Sequence, residues 1–259
     1  MKKKINLFVP VLAGAFILAN SASAQLWTAG HGDIGVALED DDGPGGNPPE
    51  FHLHAHLHSG AVVDGSPLVA DQEYDAAGLT INVPLLTKIS APANAALSAG
   101  TGAATGEDLW ILPQNNPGSD PIPFLGLATE ELVPGDWSTD ITFTLGAVSS
   151  PSGSGEFSVW QPNGIGGFNF FFATADQSLT VNGDDTLDLG AGVHDHFNYG
   201  FTEAGSWMVE LTASGTHIML GALSDTQTFS FNVVPEPSAF PAIAGLFVLA
   251  LVVLRRRNH

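Results

Sequence analysis

At 259 residues the chain has room for one or two domains, and its 27 acidic against 7 basic side chains give a formal net charge of −20. Charge of that sign repels nucleic acid and attracts cations, so no nucleic-acid partner is expected. With no cysteine, disulfide staples and thiolate chemistry are excluded, which leaves packing, with or without a metal, to hold the fold.

Residues 1–24 read as a secretory signal. Lys2, Lys3 and Lys4 open it, Ile5 to Leu18 is apolar, and Ala22-Ser23-Ala24 is a small-residue cleavage site. The mature chain is expected to begin at Gln25, an uncleaved anchor helix being the alternative. Residues 25–234 then form one domain in which Lys88 is the only lysine or arginine. Its length allows a sizeable core.

Within that domain Ile34, Val36 and Leu38 alternate as on a half-buried strand. The stretch Asp40 to Pro49 is acidic and rich in chain breakers, and reads as a solvated loop. Phe51 to His58 is the densest chemical signal in the chain. Period-two alternation puts Phe51, Leu53, Ala55 and Leu57 on one face and His52, His54, His56 and His58 on the other.

Leu79, Ile81 and Val83 mark another strand. Ala91 to Gly106 is small and polar and is expected to be a loose connection. Trp137 to Val148 and Phe157 to Trp160 flank a Pro/Gly/Ser turn and read as a hairpin. Phe168 to Ala173 is an aromatic strand. His194-Asp195-His196 leads toward an alternating run at Trp207, Val209 and Leu211, and Phe229, Phe231 and Val233 close the domain. No 3.6-residue period stands out. Many short strands with turn signals between them predict an all-β fold, an antiparallel β-sandwich of jelly-roll type.

Residues 235–259 form a second targeting unit. Pro235-Glu236-Pro237 precedes an apolar run over 239–254, expected to be a transmembrane helix, and then Arg255, Arg256 and Arg257. Those 16 apolar residues would rise about 24 Å as a helix against a hydrocarbon core of about 30 Å, a gap that snorkelling arginines can close. The arginines are expected on the cytoplasmic side.

This three-part tail resembles a PEP-CTERM sorting signal. The resemblance implies exosortase as a processing partner near Pro235, Glu236 and Pro237, with Arg255, Arg256 and Arg257 completing the motif. It also implies insertion in the membrane through the C-terminal helix before processing. The destination would then be the cell surface or the exopolysaccharide matrix. A second resemblance spans most of residues 25–234. His31-Gly32-Asp33-Ile34, Leu109-Trp110-Ile111-Leu112-Pro113-Gln114 and the block from His194 to Thr202 are similar to the bacterial surface-anchored domain called choice-of-anchor M. Relatives of that domain are associated with metal-ion transporters, which implies metal handling. The family supplies no catalytic residues to carry over.

The histidines carry the chemistry. Same-face neighbours on a strand lie about 6.6–7 Å apart at Cα, and imidazoles can converge across that gap onto one ion. If the strand Phe51–His58 lies beside His194–His196, then His54, His56, His194 and His196 form one metal site, with His31 as a fifth ligand. The mid-strand His54 and His56 are preferred to His52 and His58. Imidazole-rich ligation suits a transition metal such as zinc, copper or iron. Asp195 points to the opposite face of a regular strand. His217 has no partner in sequence, and Glu130-Glu131 reads as a pair of solvated acids near a turn. The alternative is that the histidines are a solvated polar face. Three functions fit: a non-enzymatic, exported metal-binding protein, a structural or adhesive matrix protein without a specific site, and a metal-dependent enzyme. The first is preferred.

Overall fold

A computed structural model of the chain describes residues 24–39 and 49–237. The signal segment over 1–23, the acidic stretch 40–48 and the tail over 238–259, including Arg255, Arg256 and Arg257, lie outside them. Among the described residues no helix is long and apolar enough to cross a membrane.

In chain order the strands begin with β1 (Gln25–Glu39), β2 (Glu50–Leu57), β3 (Val62–Val63), β4 (Ser66–Pro67), β5 (Gln72–Tyr74), β6 (Leu79–Val83) and β7 (Lys88–Ser90). A short helix, α1 (Ala95–Thr101), precedes β8 (Asp108–Leu112), β9 (Pro123–Ala128), β10 (Ile141–Ser149), β11 (Phe157–Pro162) and β12 (Phe168–Ala173). Then come β13 (Thr186–Leu189), β14 (His194–His196), β15 (Asn198–Phe201), β16 (Gly205–His217) and β17 (Gly221–Val233).

The chain is mostly β, as its alternation requires. One sheet runs β13–β10–β16–β17–β6–β1–β2–β5, with β9 pairing β1 and β14 pairing β9, while the second runs β12–β11–β15–β8–β7. The apolar faces of both sheets meet in a single buried cluster that includes Ile81, Trp207 and Phe231 from the first and Leu112, Val159 and Phe201 from the second. Phe201 lies at the centre, its ring centroid 5.4 Å from Trp207 and 5.1 Å from Phe231. Each such side chain, fully buried, contributes about 1.5–3 kcal/mol.

Three expectations change. The first sheet is mixed rather than purely antiparallel, because β1 pairs β6 and β9 in parallel and β17 also pairs β6 in parallel, while the second is antiparallel throughout. The hairpin expected between Trp137–Val148 and Phe157–Trp160 does not form. β10 pairs β13 and β16 in the first sheet, while β11 pairs β12 and β15 in the second. Its Pro/Gly/Ser turn is therefore a crossing between sheets. The stretch 91–106 is not all loose, since α1 forms within it. The Asn94 side chain accepts from the Ala96 and Leu97 amides, and Gly102 ends the helix in the left-handed region. Leu97 packs with Trp160 and Phe170.

β1 positions the functional face. Its first residues pair β3 and β6, and from Gly30 onward it pairs β2 on one edge and β9 on the other. Gly30 sits at the change of partners with φ +87, and a Cβ there would meet Ala61 Cα at 2.7 Å. Only glycine fits both demands. β2 is held along its other edge by β5, and by the Asp225 carboxylate, which accepts from the Leu53 amide at 2.8 Å. At the far end of the domain the Val234 amide donates to Val83 (2.9 Å), and Lys88 Nζ sits 2.7 Å from Glu236 and 2.8 Å from Asp108.

Candidate metal centre

Four strands in the order β2–β1–β9–β14 bring the histidines onto one face. The register sets His56 beside Asp33, Asp33 beside Gly126, and Gly126 beside His196. The next row is His54, Gly35, Ala128 and His194. On the other side His31 lies beside Phe124, and the His58 amide donates to the His31 carbonyl at 3.1 Å. Residues opposite one another share a face of the sheet, so all these side chains stand on one side. Ile34, Val36, Leu53, Leu57 and Leu127 occupy the other side and enter the core. The alternation that builds the core thus also builds the histidine face.

The expected site does not assemble as one unit. β2 and β14 are not neighbours, because β1 and β9 lie between them. His31 on β1 bridges the gap instead. It falls into one group with His194 and His196, and into another with Asp33 and His58, each group offering ligand atoms within 4.8 Å of one another. His54 and His56 form a separate group with Glu131. His58, passed over in favour of His54 and His56, is therefore linked to the late histidines through His31. Asp195 is in none of these groups and accepts from Gln161 at 3.0 Å. His217 is a local cap that accepts from the Met219 and Leu220 amides.

The geometry around Asp33 suits an ion. Its carboxylate Oδ2 lies 3.4 Å from His31 Nε2 and 3.3 Å from His58 Nε2. Ligand atoms about 3.4 Å apart are the edges of a tetrahedron with metal bonds of 2.0–2.1 Å. The His31 and His58 rings stack with centroids 4.1 Å apart, while the centroids of His196 and His194 lie 5.0 and 5.7 Å from that of His31. Phe124 stacks on His196 at 3.6 Å and fixes its plane. Gly126 makes room for the Asp33 side chain, since a Cβ there would overlap Oδ1.

The acids expected to be solvated are part of this face. The Glu130 carboxylate pairs with His194 Nδ1, and Glu131 pairs with His56 Nδ1 while its other oxygen lies 3.3 Å from His54 Nε2. Thr129, fully buried, anchors their turn by donating to the Gly190 and Val193 carbonyls at 2.5 and 3.0 Å. Sequence spacing carried no sign of this, because the turn meets the histidines only through the pairing of β1 with β2 and β9 and of β9 with β14.

At Asp33 and His196 the surroundings favour the deprotonated, ligating form. Burial opposes the charged form of Asp33, but His31 and its other imidazole neighbours more than offset that and hold the carboxyl below its usual range. Burial pushes the His196 imidazole below its usual value and so favours the neutral, metal-binding form. His194 is displaced upward, its burial outweighed by Glu130.

Eight buried side-chain nitrogen or oxygen atoms among the described residues have no hydrogen-bond partner, and six belong to this face: His31 Nε2, Asp33 Oδ1, and both ring nitrogens of His54 and of His196. An unpaired buried polar atom costs about 1–3 kcal/mol, so six on one sheet face call for ligands. No family model, curated protein or solved structure matches the chain.

Proposed function

We propose that the protein is a non-enzymatic, exported metal-binding protein of the cell surface or matrix. It holds a transition metal, zinc, copper or iron, through His31, His58, His194 and His196 with Asp33. The observation that carries this reading is the concentration of unpartnered buried ligand atoms on one sheet face. Imidazole-rich ligation favours a transition ion over calcium or magnesium. The domain around it, two sheets sharing one core, is taken as a β-sandwich of jelly-roll type.

Location rests on sequence. The resemblance of the tail to a PEP-CTERM signal supports processing by exosortase at Pro235, Glu236 and Pro237, after anchoring through the helix over 239–254. The choice-of-anchor M resemblance and the acidic composition support a surface role, with exopolysaccharide as a partner.

The test is elemental analysis of the full-length, untagged chain after exhaustive dialysis, beside a variant carrying His31→Ala and His196→Ala. Stoichiometric zinc, copper or iron that falls by at least one equivalent in the variant supports the proposal. Substoichiometric metal in both chains overturns it and leaves a structural or adhesive matrix protein whose histidines meet only solvent and loosely held ions.

A further inference from the structure

The histidine face holds more ligands than one ion can use. His31, His194 and His196 share no residue with His54, His56 and Glu131, and the two groups approach β1 from opposite sides. His54 and His56 stand on β2, while His194 and His196 stand on β14, three strand spacings of about 4.8 Å away, on the order of 14 Å. That is too far for one ion to take both histidine pairs, and the first site, completed by His31, His58 and Asp33, uses neither His54 nor His56.

We infer that the face is a two-ion device, with a second divalent metal site formed by His54, His56 and Glu131. The inference rests on the metal-binding reading of this face and deepens it. His54 is 1% exposed, its Nδ1 has no side-chain partner, and its Nε2 meets only the Glu131 carboxylate, without good hydrogen-bond geometry. A buried imidazole so poorly partnered is costly unless something else satisfies it. Its Nε2 lies 3.3 Å from Glu131 Oε2, matching the edge of a tetrahedral shell at about 3.4 Å. Glu131 reaches His56 Nδ1 through its other oxygen, so one carboxylate addresses both imidazoles.

The floor beside this group is clear. Gly35 stands opposite His54, and a Cβ there would meet nothing nearer than the Ala128 carbonyl oxygen at 3.7 Å. A cavity of ≈ 10 Å³, lined by Gly35, Ala128, His56, Glu130 and Glu131, opens at that point. Such a volume holds about one water-sized body. The adjacent acids divide the work: Glu131 serves the His54 and His56 group, and Glu130 contacts His194 of the other. Two imidazole nitrogens with one carboxylate suit zinc or ferrous iron, while the imidazole-richer first group also admits copper.

The test is a zinc titration of the metal-stripped, full-length, untagged chain against a chromophoric chelator. Two equivalents are expected. Glu131→Gln and, separately, His56→Ala should each leave one, and His31→Ala with His196→Ala should leave the other. Glu131 and His56 are partly exposed, so these variants avoid emptying the core, and circular dichroism checks that each is folded. Two equivalents retained in Glu131→Gln and His56→Ala would overturn the second site. One equivalent in the wild type also overturns it, whether Glu131→Gln leaves that ion in place or both sets of variants abolish it. In either case the metal-binding reading stands. No bound zinc in the wild type sinks this inference and leaves the first reading to copper or iron, settled by the elemental analysis.

Discussion

His31 and His58 stack face to face, with ring planes 3° from parallel and the Asp33 carboxylate against both. Stacked imidazoles beside a buried carboxylate form a pair of ligands already oriented before an ion arrives. Little side-chain entropy remains to be lost on binding, which raises affinity.

Asp33→Asn should weaken metal binding and also destabilise the metal-free chain by about 1–3 kcal/mol, since a buried acceptor of imidazole contacts is replaced. The Asp33 pKa is lowered in the folded state. Its contribution is therefore present above its unfolded value of 3.8 and is lost as pH falls through the lower folded value. Urea unfolding of both chains at neutral pH and in acid checks this. A cost that does not shrink in acid would refute the assignment.

In the metal-free chain His54 and Glu131 hold each other. Burial disfavours His54 in its charged form, but Glu131 outweighs it and the pKa rises above 6.5. Burial likewise works against ionised Glu131, and His54 with His56 outweighs it, so the pKa falls below 4.5. The His54 contribution is complete below 6.5 and fades as pH rises through its folded value. The Glu131 contribution is present above 4.5 and fades as pH falls through its folded value. Glu131→Gln should thus cost more stability at a pH near 5.5 than near 8.5, the window those two pKa directions define. Metal affinity should move oppositely and rise with pH, because an ion must displace the proton. Denaturation and zinc titration at the two pH values read both slopes.

Two glycines on the face should respond differently to alanine. A Cβ at Gly126 overlaps Asp33 Oδ1 and lies 3.1 Å from His196 Cε1, so Gly126→Ala should cost about 1–3 kcal/mol and lower metal occupancy. At Gly35 a Cβ would make only ordinary contacts, the nearest at 3.7 Å, so Gly35→Ala should leave stability unchanged or raise it by about 0.4–1 kcal/mol. Thermal melts with elemental analysis separate the two. Equal losses would mean that the trough is not shaped as described.

Thr129→Val removes the hydroxyl that donates to Gly190 and Val193 and accepts from the Val193 amide at 3.2 Å. Losing those part-buried hydrogen bonds should cost about 0.5–1.5 kcal/mol, since the Val193 carbonyl keeps the Thr129 amide. It should also free the turn carrying Glu130 and Glu131, loosening metal at both ends of the face. Unchanged zinc affinity in a folded Thr129→Val chain would show that the turn does not position its acids.

Much of this was legible in the residues. Alternation in Phe51–His58 placed the four histidines opposite Phe51, Leu53, Ala55 and Leu57, and the sheet keeps that division. Asp195 was legible as pointing away from His194 and His196. Glu130 and Glu131 were not, because an adjacent pair near a turn looks the same whether it meets water or imidazole. Nor was α1, whose seven residues are too few for a helical period to emerge.

By itself the sequence determined the class of the fold, the acidic surface and the face on which each histidine stands. All of these follow from composition and from a period of two along a strand. Only the tertiary structure decided which strands are neighbours. Pairing β1 with β9 inserts two strands between His54 and His194, brings His58 to His31, and splits one expected site into two groups. Strand pairing is a long-range choice made by the burial of both apolar faces at once, and no local pattern records it.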